Sequence, residues 1–145
     1  MTNKFTIKRI NRFSKKALED LNNLLLQIST SGYQMDSTRL KKVIKNKNTY
    51  LMALYEGEKI IGTITLVSVF QIRDHKGYVE NFVIDENYRG RKLGRKMISY
   101  ITELAKRIKI EKLELKSESH RVVANMLYKK LGFNVVSANV YDMKL

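Results

Sequence analysis

The stretch of sequence most suited to chemistry is the run from Asp85 to Arg95, DENYRGRKLGR. It follows a strand-like apolar run and precedes an apolar pattern with helical spacing, so it is predicted to join a strand to the start of a helix. Backbone N–H groups in the first turn of a helix have no partners within the helix, and the helix dipole adds partial positive charge. Glycine lets a ligand approach the backbone closely, and four basic side chains lie in the same run. The pattern predicts a phosphate or pyrophosphate site, the alternative being a turn with solvated charges.

Two familiar phosphate-binding motifs do not fit this loop. The P-loop motif is excluded because no Gly-Lys-Ser or Gly-Lys-Thr ends it. The dinucleotide motif GxGxxG is excluded because its glycine spacing is absent and no acidic residue follows at the end of the next strand. An anion site of another kind is therefore expected.

The loop does resemble motif A of the GNAT N-acetyltransferases, whose signature is Arg/Gln-x-x-Gly-x-Gly/Ala. In YRGRKLGRKM, Arg89 matches the first position and Gly94 the last, whereas Lys92 stands where the family usually has its middle glycine. The resemblance extends to YVENFVIDENYRG before the loop, which is similar to the family's fourth strand and its exit. It also extends to ANMLYKKLGF after the loop, which is similar to the family's closing Ala-x-x-x-Tyr-x-x-x-Gly-Phe segment.

The resemblance implies an N-acetyltransferase that takes its acetyl group from acetyl-coenzyme A. It implies that the pantetheine arm runs beside the strand residues Phe82, Val83 and Ile84. A backbone N–H near Val83 or Ile84 would then polarise the thioester carbonyl and stabilise the oxyanion that develops there. The residues expected at the pyrophosphate are Arg89, Gly90, Arg91, Lys92, Leu93, Gly94 and Arg95.

Two side chains are candidates for proton transfer when an amine attacks the thioester directly. Tyr128 falls where the family often places a tyrosine near the coenzyme A sulfur, and its phenol can protonate the departing thiolate. The alternative is a tyrosine hydrogen-bonded at the rim of the core. Glu80 is the candidate base that takes a proton from the attacking ammonium, the alternative being a cross-strand ion pair.

One coenzyme A contact of the family lacks its usual residue. The family often has an asparagine seven residues before the tyrosine, and Arg121 occupies that position here. Asn125 is the candidate substitute, with an ordinary surface asparagine as the alternative.

The first half of the chain is predicted to place an antiparallel meander beside two helices. FTIKRI alternates like a strand, Ser14 is expected to cap a helix, and Asp36 or Ser37 a second short one. Three strands follow, TYLMALYE, IIGTITLVSVF and YVENFVID. Turns are predicted between them at Glu56-Gly57-Glu58 and at His75-Lys76-Gly77.

The second half is predicted to contain a helix, a strand and a helix. KLELKS is the short strand, and the last helix begins near Arg121 with Gly132 just past its end. Phe133 to Leu145 is expected to form one or two further strands. The first of these helices is expected to bury Leu93, Met97, Ile98, Ile101, Leu104, Ala105 and Ile108, and the last to turn Val123, Met126, Leu127 and Leu131 inward.

These elements predict an α/β fold, in the sense of a mixed α+β sheet with helices on both faces. The strand–helix–strand unit from Tyr78 to Ser117 predicts one parallel strand pair in a mostly antiparallel sheet. The resemblance adds that this pair splays around the acetyl-coenzyme A site. Residues 1–145 suit one domain.

Composition excludes several other classes of function. The 145 residues include no cysteine, so disulfides, thiolate zinc sites and a cysteine nucleophile are excluded. The two histidines, His75 and His120, are too few and too isolated to predict a metal site. No apolar run approaches a membrane span and no signal peptide is evident, so we expect a cytoplasmic protein without a membrane partner.

The net charge of +14 favours anionic partners and leaves two alternative functions open. One is a basic nucleic-acid-binding domain, although no RNP-type or helix-turn-helix signature accompanies the charge. The other is a GNAT-like domain that binds coenzyme A without catalysis. The acceptor is expected to be a small-molecule or peptide amine, with amino sugar, aminoglycoside, polyamine, amino acid and protein amine all open. Monomer and homodimer are equally open.

Overall fold

Five strands form a single sheet in which each strand pairs with its neighbours in the sequence. The computed structural model describes residues 4–145. The first four strands pair antiparallel, and the last two pair parallel. This confirms the predicted mixed sheet with one parallel pair. The strands are β1 (Phe5–Arg9), β2 (Thr49–Glu56), β3 (Lys59–Phe70), β4 (His75–Ile84) and β5 (Lys112–Leu115).

Four α-helices connect and cover the strands, with a short 3-10 turn at Glu86–Tyr88. The Ser14 hydroxyl accepts a hydrogen bond from the Ala17 N–H at 3.0 Å, and the Asp36 carboxylate accepts one from the Arg39 N–H at 2.7 Å. Both predicted caps are therefore confirmed. The helices are α1 (Lys15–Leu26), α2 (Ser37–Lys45), α3 (Leu93–Arg107) and α4 (Val122–Lys130).

The sheet separates two hydrophobic cores. On one face, α1 and α2 pack against the sheet around Leu51, Ala53 and Ile60. On the other face, α3 and α4 pack around Met52, Leu54, Ile61, Ile64 and Leu66. The predicted stripe of α3 faces this second core, with Leu93, Met97, Ile98, Ile101 and Ala105 buried and Leu104 and Ile108 partly buried.

The predicted turn at His75-Lys76-Gly77 is wrong. These residues already belong to β4, where His75 pairs with Phe70 and Gly77 with Ser68. Gly77 is present for close packing instead. A Cβ there would lie 2.9 Å from side-chain carbons of Ile110 and Leu113.

Two predictions about the end of the chain are also wrong. In α4, Val123 and Met126 are 83% and 54% exposed, because the helix turns a different stripe inward. That stripe, with the spacing i, i+3, i+4, i+7, comprises Ala124, Leu127, Tyr128 and Leu131, so the prediction was wrong for Val123 and Met126 and right for Leu127 and Leu131. Residues 134–145 form no strand.

Candidate functional site

β4 continues beyond the end of β5 and contains a bulge halfway along its length. The parallel pairing ends at Val79 and Leu115, whereas β4 continues to Ile84. Across β3, Thr65 pairs with Glu80 but Thr63 pairs with Val83, so β4 carries one extra residue. Asn81 supplies this bulge with a left-handed φ of 49°, a conformation that asparagine adopts more readily than most residues. Beyond Val79, β4 has no parallel partner strand among the described residues, and the splay of the pair around the acetyl-coenzyme A site stays a prediction.

The bulge also decides which face of the sheet each residue of β4 reaches. Val79 lies in the α3/α4 core, and so does Ile84, whereas Val83 lies in the α1/α2 core. Glu80, next to Val79 and opposite Thr65, therefore points toward the α1/α2 face, where it is exposed. Tyr128 lies in the α3/α4 core. The two candidates for proton transfer thus lie on opposite faces of the sheet at β4.

The loop after β4 delivers an uncapped helix N-terminus. Gly90 has φ 77° and Lys92 has φ 61°, so the chain makes two left-handed turns before α3 begins at Leu93. No side chain caps α3, and its first-turn N–H groups have no hydrogen-bond partner among residues 4–145. Such N–H groups are the donors that an anion requires.

Lys92 has a left-handed φ, which explains why glycine would be favoured at this middle position of the motif. For a residue with a Cβ this conformation costs about 1–2 kcal/mol, whereas glycine adopts it freely. Lys92 therefore takes the backbone shape of the motif without its glycine.

The basic side chains of the loop divide into two groups. The Arg89 Nε donates to the Ile84 carbonyl oxygen at 3.1 Å, and the Arg91 guanidinium lies 5.1 Å from the centre of the Tyr88 ring. Lys92 and Arg95 are exposed and make no ion pair or hydrogen bond within the described chain. The first pair therefore contacts the loop and the strand before it, while the second pair is exposed without a partner in the described chain.

Gly94 lies where β4 and α4 approach the first turn of α3. A Cβ on Gly94 would be 3.5 Å from Phe82 Cζ and 3.6 Å from Leu127 Cδ2, which are ordinary contacts. Gly94 is thus partly buried beside these two side chains, while Leu93 is buried in the core next to it.

Tyr128 has a buried ring and a hydroxyl that is left for a ligand. The residue is 8% exposed, and its ring lies edge-on to Phe133 with centroids 6.1 Å apart. Burial raises the pKa of the phenol, against a smaller opposing effect of Arg121. The hydroxyl is therefore protonated at neutral pH, and no residue from 4 to 145 hydrogen-bonds it. The alternative of a hydrogen-bonded rim tyrosine has no support.

The Asn125 side chain has a hydrogen-bond partner in the structure, whereas Glu80 has no ion-pair partner among the described residues. The Asn125 side-chain N–H donates to the Glu118 carbonyl oxygen at 3.0 Å, which braces the loop before α4. Its role toward coenzyme A stays a prediction. Glu80 forms no ion pair in the described part of the chain, so the cross-strand salt bridge has no support.

Ser117 is a residue that sequence reasoning missed. Its Oγ is buried and has no hydrogen-bond partner among the described residues. It lies two residues beyond the end of β5, whose Leu113 and Leu115 pack against the α3/α4 core. The signal was present in KLELKS, where a serine takes the third position of an apolar alternation.

The far end of the loop is held by a polar cluster. The Tyr88 hydroxyl donates to the Glu56 carboxylate, and Lys4 Nζ lies 2.8 Å from the same carboxylate. These two hydrogen bonds lower the pKa of Glu56. A surface depression of about 370 Å³ lies here and does not include Glu80 or Tyr128 in its lining.

Residues 4–145 contain neither a candidate metal site nor a candidate membrane-spanning helix. No three histidine, aspartate or glutamate side chains are grouped so as to hold a metal ion. None of the helices described has the length and apolar character needed to cross a membrane.

Sequence comparison connects this geometry to known proteins. The model of the acetyltransferase (GNAT) family matches residues 18–133. The uncharacterized N-acetyltransferase YobR of Bacillus subtilis (strain 168) is 30% identical over 93 residues, which cover 63% of this chain and 35% of YobR. The match thus spans about a third of that relative's length.

Solved structures share the fold at low sequence identity. The aminoglycoside acetyltransferase meta-AAC0020 from an uncultured soil metagenomic sample, in complex with sisomicin, has a TM-score of 0.83 at 18% identity, covering 97% of both chains. A GNAT family acetyltransferase of Staphylococcus aureus subsp. aureus USA300_TCH1516 has a TM-score of 0.79 at 19% identity, covering 99% of this chain and 100% of that chain.

Proposed function

This chain belongs to the GNAT family of acetyltransferases and is an acyltransferase, and we propose that it transfers an acetyl group from acetyl-coenzyme A to a primary amine by direct attack. The observation that carries this proposal is the bulged β4, which has Glu80 on one face and Tyr128 on the other. The amine nitrogen adds to one face of the thioester carbonyl and loses a proton, and the sulfur leaves the tetrahedral carbon and gains one. A proton acceptor and a proton donor are therefore needed at two different atoms, and Glu80 and Tyr128 are separate groups that could serve them.

The residues present fit acetyl-coenzyme A, which supplies the activated acetyl thioester. The free N–H groups at Leu93, Gly94 and Arg95 would bind the pyrophosphate, with Lys92 and Arg95 adding charge. The edge of β4 beyond Val79 has no strand beside it among the described residues, which suits the amides of the pantetheine arm.

Glu80 is the proposed base. An amine that is protonated in water must lose a proton before its nitrogen can attack, and a carboxylate takes that proton directly or through water. Glu80 is exposed on the α1/α2 face, so an acceptor approaching from that face meets the carboxylate first. A backbone N–H of Val83 or Ile84 is the proposed donor to the thioester oxygen.

Tyr128 is the proposed acid. As the C–S bond breaks, the thiolate needs a proton, and the phenol of Tyr128 is protonated because burial raises its pKa. Its hydroxyl has no partner in the described chain that would have to be given up first.

We propose a small-molecule amine as the acceptor. The support is the structural similarity to meta-AAC0020, whose structure holds the aminoglycoside sisomicin. No observation favours nucleic acid as the partner beyond the net charge.

The test is release of coenzyme A thiol from acetyl-coenzyme A in the presence of a panel of amines. The panel contains aminoglycosides, amino sugars, polyamines, amino acids and a lysine peptide. We expect turnover with at least one small amine, and an increase in melting temperature with coenzyme A alone. A protein that neither binds coenzyme A nor releases thiol with any of these amines would contradict the proposal.

Glu80→Gln then tests the base. The loss of rate should be greatest at low pH, where more of the acceptor is protonated, and should shrink as the pH approaches the pKa of the amine. Asn81→Ala, on the adjacent exposed residue, is the control for disturbing the bulge. A Glu80→Gln effect that does not vary with pH would assign Glu80 to binding or folding.

A further inference from the structure

The α1/α2 face of the sheet is covered by helices over only part of its area. The core on that face reaches β3 and β4 at Ile60 and Val83. Three side chains nearer the turn between β3 and β4 are partly buried but belong to neither hydrophobic core, namely Val67, Val69 and Tyr78. They alternate with Leu66 and Val79 of the α3/α4 core, so they lie on the opposite face. The uncovered part of this face extends from the turn to Glu80.

Charged side chains lie at both ends of the uncovered face. Glu80, Tyr78 and Lys76 follow one another along β4 on this face. In the neighbouring β5, Glu114 pairs with Tyr78. The next residue pair in the same direction is Lys112 with Lys76. Residues two apart in a strand are separated by about 7 Å, so Lys76 lies about 13 Å from Glu80 along β4. The carboxylate proposed as the base is therefore at one end of the face, and a pair of lysines is at the other.

The two lysines are not balanced by an equal number of carboxylates. The Lys76 side chain is 16% exposed, and its Nζ lies 3.9 Å from a carboxylate oxygen of Glu114, which is a long ion pair. Lys112 is exposed and forms no ion pair within the described chain. Like charges on paired residues of neighbouring strands repel each other. An anion bound beside this pair would reduce the repulsion.

A surface depression of about 680 Å³ lies at the lysine end of the face. Besides Lys76 and Lys112, it is lined by the turn between β3 and β4, that is, by Gln71, Ile72, Arg73 and Asp74. The three basic side chains of this depression outnumber the carboxylates of Asp74 and Glu114 by a single charge. One carboxylate from a ligand would therefore balance this end of the face.

Tyr78 provides a hydrogen-bond donor between the two ends. The Gln71 side-chain N–H donates to the Tyr78 hydroxyl oxygen at 3.2 Å. The hydrogen of the phenol itself has no acceptor in the described chain, so it can donate to an oxygen of a ligand. The Nζ of Lys76 lies 5.6 Å from the centre of the Tyr78 ring. A carboxylate bound here would thus meet both a phenol O–H and an ammonium group.

We propose that the acceptor is a small amine with a carboxylate at its other end, and that Lys76, Lys112 and Tyr78 bind this carboxylate while the amine lies at Glu80. This inference rests on the proposed function of Glu80 as the base, and it narrows the class of acceptor. Because these groups are spaced along β4 by about 7 to 13 Å, several bonds must separate the amine from the carboxylate. An acceptor with many ammonium groups would bring positive charge to the two lysines and is disfavoured.

Three probes of equal chain length isolate the charge at the far end of the acceptor. They are 6-aminohexanoate, 6-amino-1-hexanol and 1,6-diaminohexane, which share the same reacting primary amine. With saturating acetyl-coenzyme A at low salt, we expect kcat/KM to be about tenfold higher for 6-aminohexanoate than for the amino alcohol. The value for the diamine, corrected for its two equivalent amines, should be the lowest. The differences should shrink at high salt.

Variants of the lysine end give effects in opposite directions. Lys76→Met keeps the apolar stem and removes the charge, so it should lower kcat/KM about tenfold more for 6-aminohexanoate than for 6-amino-1-hexanol. Glu114→Gln releases Lys76 from its ion pair and should raise kcat/KM for 6-aminohexanoate. Lys106→Met is the control, because it removes the same charge from an exposed position of α3, across the sheet. The melting temperature of each variant checks its folding.

Calorimetric titration of the coenzyme A complex with the same three amines separates binding from turnover. Tighter binding of 6-aminohexanoate without turnover of any amine would support this inference and contradict the proposed function. Turnover with an equal or reversed preference among the three probes would overturn the inference and leave the proposed function standing. Failure of 6-aminohexanoate to bind would also overturn it. So would a Lys76→Met variant that loses the same factor in kcat/KM with the acid and with the alcohol.

Discussion

The two halves of β4 differ in whether nearby polar groups have hydrogen-bond partners within the protein. In the first half, Lys76 to Val79 pair with both β3 and β5, and the ring and backbone N–H of His75 have hydrogen-bond partners within the protein. The Nε2 atom of His75 lies 2.6 Å from Ser68 Oγ, and its Nδ1 atom lies 2.9 Å from the Lys109 carbonyl oxygen. The backbone N–H of His75 donates to the Glu111 carboxylate at 2.7 Å. In the second half, Glu80 to Ile84 have β3 on one side and no strand on the other.

We therefore propose that the buried residues in the first half of β4 form a structural region and that the second half belongs to the binding region. Buried polar groups that find partners inside the protein hold elements together and have nothing left to offer a ligand. Groups without hydrogen-bond partners in the described chain include the N–H groups of Leu93, Gly94 and Arg95, which follow the second half along the chain, and the hydroxyls of Ser117 and Tyr128. Variants of the buried residues in the first half should therefore change stability, and variants around the second half should change binding and rate.

The largest effect on stability is expected from His75→Ala. It removes two hydrogen bonds of a buried ring that also stacks on Phe70, with centroids 3.9 Å apart, and it leaves Ser68 and the Lys109 carbonyl without partners. We expect the free energy of unfolding to fall by about 3 kcal/mol, measured by urea denaturation. Ser68→Ala is the lighter variant, with a loss of about 1 kcal/mol.

Neither variant should change the affinity of the folded protein for coenzyme A, measured by calorimetry well below the melting temperature. A His75→Ala protein that keeps its stability but loses coenzyme A binding would erase the distinction between the two halves of β4.

The largest effect on rate is expected from Tyr128→Phe. The variant keeps the buried ring and removes only the proton donor, so kcat should fall by about 10–100-fold with little change in coenzyme A affinity. Single-turnover measurements on a genuine acceptor isolate the chemical step. Tyr100→Phe, on a partly buried tyrosine of α3, is the matched control and should leave kcat unchanged.

The pH dependence of the free energy of unfolding is a second measurement on Tyr128→Phe. The folded pKa of Tyr128 is raised above the ordinary value of 10.0, so its contribution to stability is complete below that pH. It is lost as the pH rises toward the folded pKa, because only the unfolded chain then ionises. Tyr128→Phe should remove this part of the alkaline loss of stability. Unchanged turnover in a well-folded variant would leave Tyr128 as a packing residue.

A smaller effect, on binding, is expected at Gly94. A leucine at Gly94 would extend past Phe82 and Leu127 at the first turn of α3 and would keep a ligand away from the backbone. Coenzyme A affinity should therefore fall by about tenfold. Arg91→Ala should cost less, since the Arg91 side chain is held over the Tyr88 ring. The measurement is the dissociation constant of coenzyme A, with the melting temperature as the check on folding.

Gly94→Ala is the matched control for the fold, because its Cβ would make only ordinary contacts. If Arg91→Ala weakens binding more than Gly94→Leu does, side-chain charge rather than backbone approach dominates the pyrophosphate site.

The smallest effect is expected from Lys92→Gly. Glycine relieves the left-handed strain at this position but increases the freedom of the unfolded chain, and the two effects nearly cancel. We expect the free energy of unfolding to change by less than about 1 kcal/mol. The loss of one exposed charge should weaken coenzyme A binding only slightly, and more at low salt than at high salt. A loss of stability of several kcal/mol would mean that Lys92 makes a contact the structure does not contain.

The parts of the fold that were predictable are those with local causes. Ser14 and Asp36 cap their helices through N–H groups three residues away, and the apolar stripe of α3 repeats with the helical period. The loop Asp85 to Arg95 was recognisable because glycine, basic residues and a helix start all lie within it. The strands predicted after Phe133 were wrong because β-branched residues favour a strand only where a partner strand exists.

The sequence by itself predicted an anion site at this loop, since a helix start and its neighbouring charges are close in the chain. Only the tertiary structure decided which basic side chains remain available, because Arg89 and Arg91 are occupied by Ile84 and Tyr88. It also decided that Glu80 and Tyr128 lie on opposite faces of β4. That outcome depends on one extra residue at Asn81, whose position is set by the pairing of β4 with β3 and not by the alternation of β4 alone.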